Sequence, residues 1–86
     1  MYGRDSPAVR ASVQFKFGMR VRQLRLAAGL TQEDLAHRCG LFRTYMIRIE
    51  TGRANPTLTM VDALATSLKV PIAALFETDM SAASES

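Results

Sequence analysis

Residues 41–52 read LFRTYMIRIETG, with Arg43, Thr44 and Arg48 threaded between Leu41, Met46 and Ile49. On a helix, residues three and four apart share a face. Positions 43, 44, 47 and 48 then lie together, opposite Met46 and Ile49. An outward arginine carries a planar fork of donors that fits the O6 and N7 atoms of guanine, and such a pair is worth about 1–3 kcal/mol of discrimination. A threonine hydrogen-bonds a base edge or meets a thymine methyl. The chemistry offered is reading of a duplex by its base edges; the plainer alternative is a solvated basic face. Ile47 is the odd member of this set. It packs on thymine methyls or a sugar edge, tucks under a neighbouring subunit, or stands alone in solvent.

Other chemistries find little here. One histidine, His37, and one cysteine, Cys39, cannot assemble a metal site alone. No serine, histidine and acid form a nucleophile arrangement, and the adjacent Glu33 and Asp34 suit a helix N-terminus better than acid–base work. There is no glycine-rich phosphate loop. Neither catalysis nor a cofactor is expected. Cys39 is read as filling a core gap, His37 as facing solvent.

The 86 residues support one small domain, with 48% apolar residues and a mean hydropathy of +0.01. No run approaches the roughly 18–20 apolar residues of a membrane span, and the N-terminus has no apolar signal core. With a single cysteine, these features point to a reducing, cytoplasmic setting without membrane contact. The net charge of +3 hides an asymmetry: residues 1–53 hold ten basic side chains against four acids, residues 54–86 one against four. A basic first half calls for a polyanion partner, or else is simply solvated.

Five helices are predicted to position these residues. Residues 1–12 are read as a partly flexible arm, although Ser6-Pro7 can start a helix earlier. From 13 to 28, Val13, Phe17, Val21, Leu24 and Ala28 form one apolar stripe, stopped by Gly29. Thr31 and Asp34 form a short-armed capping box for a second helix with Leu35 and Ala36 inward, ended by Gly40. The opening stretch is the third helix, closed by Gly52. Asn55-Pro56 turns the chain. Thr57 caps a fourth helix with Leu58, Val61, Leu64, Ala65 and Leu68 at helical spacing, and Pro71 starts a short fifth, Ile72 to Phe76. Residues 77–86 are small and polar and are expected to be a disordered tail. The chain is all-α.

A short glycine-containing turn between helices two and three is a helix-turn-helix arrangement. The run LRLAAGLTQEDLAHRCGLFRTYMIRIETGRANPT, with GLTQEDLA, RTY and IETG at these spacings, resembles the Cro/CI repressor type, or XRE family. It is also similar to the controller proteins of restriction–modification systems, which share RTY. The resemblance covers residues 14–76 and implies a five-helix, lambda-repressor-like domain whose third helix enters the major groove. It implies base contacts from Arg43, Thr44 and Arg48, and a phosphate clamp from Gln32 beside Thr31. It also implies a partly buried Arg25–Glu50 bridge beneath the recognition helix. Arg53 is placed to hold a phosphate, with Arg38, Arg4 and Arg10 weaker candidates; Tyr45 either reaches a phosphate or only packs. Phe42 departs from the family's serine or threonine cap, forfeiting about 1 kcal/mol. Leu41 and Phe42 are expected to offer apolar area instead, against DNA sugars.

The reading is a sequence-specific DNA-binding transcriptional regulator acting as a homodimer on a near-palindrome. Leu64, Leu68, Ile72, Leu75 and Phe76 are expected to supply the two-fold interface, since the last two helices hold more apolar residues than one small core needs. A toxin-binding antitoxin of the same fold is the alternative.

Overall fold

The computed structural model describes residues 7–77. Four α-helices follow one another: α1 (Pro7–Ala27), α2 (Gln32–Cys39), α3 (Arg43–Glu50) and α4 (Leu58–Leu68), closed by a 3₁₀-helix, Ile72–Phe76. No strand occurs among the described residues. The fold class is as expected; the fifth α-helix is not. Its five residues are too few to sustain α geometry after Pro71, and the Ala74 amide donates to the Pro71 carbonyl at 2.9 Å in the tighter i→i+3 pattern.

Two boundaries move. Helix α1 starts at Pro7, so residues 7–12 are helical rather than part of an arm. Proline fits there because its fixed φ suits a first helical position and its missing donor is not needed. At the other end Glu77 is pinned and does not belong to a loose tail: its carboxylate meets Arg20 Nη2 at 3.0 Å. Residues 1–6 and 78–86, with the rest of the expected arm and tail, lie outside the described residues.

The capping signals act as read. The Asp34 amide donates to Thr31 Oγ1 at 2.9 Å and the Thr31 amide donates to Asp34 Oδ2 at 3.0 Å. The Thr31 amide, and then its hydroxyl, hold the Asp34 carboxyl below the usual aspartate value. Thr57 Oγ1 takes the Met60 amide at 3.1 Å. Helix α3 has no side-chain cap, its N-cap being Phe42. All four α-helices close alike: the amides of Leu30, Leu41, Arg53 and Val70 reach back to the carbonyls of Arg25, Ala36, Arg48 and Ala65 at 2.8–3.1 Å.

The core is built from Phe17, Val21, Leu35, Met46, Ile49, Val61, Leu64, Leu68 and Leu75, all buried. Helix α3 lies on α1 and α2, while α4 packs on α2 and the 3₁₀-helix. The α1 stripe is shorter than its spacing implied. Val13 is exposed because the helix runs on past the core, and Ala28 lies exposed beyond the helix end. Gly18, overlooked by the periodicity, faces inward instead. A Cβ there would fall on the Ile49 carbonyl oxygen and within 3.0 Å of the Glu50 carbonyl carbon, so α3 rests directly on the α1 backbone.

The expected dimer interface is corrected in three of its five members. Leu64, Leu68 and Leu75 are buried within the domain's own core. An apolar stripe looks the same in sequence whether it meets its own chain or a second copy, and here the single core consumes it. Ile72 and Phe76 remain 45% and 55% exposed. The 3₁₀-helix that carries them is held on α1 by Arg20 Nε, which donates to the Ala74 carbonyl at 2.7 Å, and by Phe17, whose ring lies 5.3 Å from that of Phe76.

Candidate nucleic-acid interface

Helix α3 has two distinct faces. Met46, Ile49 and Glu50 are buried; Arg43, Thr44 and Arg48 are exposed, and Ile47 is half-buried beside them. The eight residues give little more than two turns, so this helix cannot hold its own conformation without tertiary support. That support comes from Gly18 beneath it and from a buried polar cluster.

Arg25 and Glu50 make that cluster. They are 6% and 5% exposed. Arg25 Nε donates to Glu50 Oε2 at 2.6 Å and Nη2 donates to Oε1 at 3.1 Å, a two-pronged pairing. Arg25 Nη1 donates to the Leu30 carbonyl at 2.8 Å, and Gln32 Nε2 donates to Glu50 Oε1 at 3.1 Å. No buried side-chain nitrogen or oxygen among the described residues lacks a partner. The cluster ties the end of α1, the start of α2 and the end of α3 to one carboxylate. Gln32 therefore has a structural bond that spacing did not reveal.

Above the cluster opens a hollow of about 710 Å³ whose lining includes Arg22, Thr31, Gln32, Arg43 and Thr51. Thr31 and Gln32, expected to clamp a phosphate, and Arg43, expected to read a base, line it together. By helical spacing Arg22 is simply a cation on the face of α1 opposite its apolar stripe; only the folded arrangement of α1 against α2 places it in this hollow. The start of α2 adds backbone N–H groups that precede the first intrahelical bond, which favour an anion. Glu33 also lines the hollow and opposes one.

The remaining candidates are distributed. Arg48 Nη2 donates to the Arg53 carbonyl at 3.0 Å, bracing the loop after α3 while its other donors stay available. Arg53 and Arg38 are exposed. Tyr45 is partly buried and packs against the core, so its ring is structural whatever its hydroxyl meets. Arg10 falls within α1, and Arg4 lies outside the described residues. Cys39 packs against the core, with its sulfur 3.5 Å from Ser67 Oγ, and His37 is exposed, both as expected. No helix among the described residues is long and apolar enough to cross a membrane.

Comparison with known proteins agrees with this geometry. Residues 16–77 match the helix-turn-helix domain family. Control protein C.BamHI of Bacillus amyloliquefaciens is 38% identical over 60 residues, 69% of this chain and 74% of that protein. The restriction-modification controller protein C.AhdI from Aeromonas hydrophila superposes with a TM-score of 0.74 at 43% identity, over 76% of this chain and 98% of that one. A hypothetical transcription factor from Neisseria, NHTF, gives 0.77 at 27% identity, over 90% of this chain and 88% of that one. Matched in sequence and in fold by regulators, this chain belongs to the helix-turn-helix family of DNA-binding transcriptional regulators, of the Cro/CI or XRE type.

Proposed function

We propose that α3 enters the major groove and reads it with Arg43, Thr44 and Arg48, while the chain acts as a controller-type regulator in the cytoplasm. The observation that carries this is the exposed face of α3, which shows two guanidinium groups and a hydroxyl above a buried Arg25–Glu50 bridge. A helix held this firmly presents its side chains at a fixed depth, as base-edge hydrogen bonds require. Ile47, half-buried at the edge of that face, lies within reach of a thymine methyl. Thr31, Gln32, Arg22, Tyr45, Arg53 and Arg38 are assigned to phosphates, which set register without reading sequence.

The working unit is a homodimer on a near-palindrome, with half-site centres about 34 Å apart. Ile72 and Phe76 anchor its interface; Val13 and Met19 share with Phe76 an apolar hollow of about 350 Å³. The relatives named above are control proteins and transcription factors, which favours a regulator over the antitoxin alternative.

The test is selection of bound sequences from a random duplex pool, using the wild type, Arg43→Ala and Arg48→Ala. Each substitution should relax one position of the recovered motif and cost about 1–3 kcal/mol there. Uniform weakening on all sequences, with a shallower salt dependence, would reassign that arginine to a phosphate.

A further inference from the structure

Phe42 is out of place by ordinary folding criteria. It occupies the N-cap of α3, makes no capping hydrogen bond, and leaves its side chain 84% exposed. The backbone around it is nevertheless fixed. Its carbonyl accepts the Tyr45 and Met46 amides at 3.0 and 3.2 Å, and the preceding Leu41 amide is tied to the Ala36 carbonyl at 2.8 Å. Leu41 itself packs against the core. The ring therefore stands on a rigid support, next in sequence to Arg43 and Thr44, at the end of the helix that meets base edges in groove-bound helices.

The main apolar feature on the major-groove floor is the thymine 5-methyl group. We propose that Phe42 is a specificity-determining residue that packs its ring against a thymine methyl beside the bases read by Arg43 and Thr44. This rests on the reading of α3 as the groove-entering helix. The benefit of covering the ring comes only with DNA present, which accounts for an apolar residue where a serine or threonine would cap the free helix.

The experiment uses the full chain and the duplex recovered by selecting the wild type from a random pool. Each thymine is replaced in turn by uracil, which removes only the methyl group, and affinities are compared for the wild type, Phe42→Ala and Phe42→Ser. The serine variant regains a helix cap, so lost binding cannot be laid to a weakened α3. The wild type should lose about 3–5-fold at one thymine of each half-site, the worth of one buried methyl group, and both variants should be indifferent to uracil there. Equal uracil sensitivity in all three proteins would overturn the assignment. So would a variant that weakens every duplex alike, since that marks a sugar contact. Failure of the pool to yield any bound duplex would remove the groove-reading helix itself, and the proposal with it.

Discussion

Glu50 is the residue on which the recognition surface depends most. Its carboxylate accepts from Arg25 twice and from Gln32 once, and the residue is buried. Burying a charge this way gives little net stability over an apolar pair, yet stranding one partner costs about 3–5 kcal/mol. Arg25→Met should therefore lower stability by that order in chemical denaturation, and a combined Arg25→Met, Glu50→Leu chain should recover most of it. Melting of the single variant within error of wild type would contradict a buried bridge. The outward face of α3 was legible because helical periodicity alone separates Arg43, Thr44 and Arg48 from Met46 and Ile49. The Arg25–Glu50 pair was not legible that way. Its members sit on different helices, 25 residues apart, and only likeness to a family joined them. The Gln32–Glu50 bond and the placing of Arg22 depend on helix crossing angles that no local pattern encodes.

At the scale of the element, α1 is a platform and α3 its cargo. An exposed Gly→Ala change in mid-helix ordinarily gains up to about 1 kcal/mol. Gly18→Ala should do the reverse, costing about 1–3 kcal/mol or more through overpacking, because the new methyl meets the backbone of Ile49 and Glu50 and neither can yield without moving α3. A urea titration measures it; an unchanged or raised midpoint would mean the two helices do not touch here. Element boundaries followed their punctuation wherever one was present, as at Thr31, Gly40 and Thr57. They were misplaced where two signals competed. Ser6-Pro7 outweighed the small, polar, Arg-bearing character of residues 1–12, and Pro71 left too short a run for an α-helix. The interior Gly18 carries no apolar signal, so a periodicity count passes over the place where α3 meets the α1 backbone.

For the whole molecule, a domain of this size has a single core to fill, and its last two helices supply part of it. That is why Leu64, Leu68 and Leu75 turned inward and left Ile72 and Phe76 for any partner. The proposed dimer predicts a species of twice the 9.5 kDa chain mass in sedimentation at tens of micromolar, and Ile72→Glu should return it to the monomer. A wild-type monomer both free and on DNA would contradict it. The central claim, that α3 reads guanines through the major groove, is tested most directly by replacing the guanines of a selected duplex with 7-deazaguanine. That base keeps its pairing but lacks the N7 acceptor. Affinity should fall by about tenfold at the guanine facing Arg43, and Arg43→Ala should erase the difference. Undiminished binding with every guanine replaced would contradict the account.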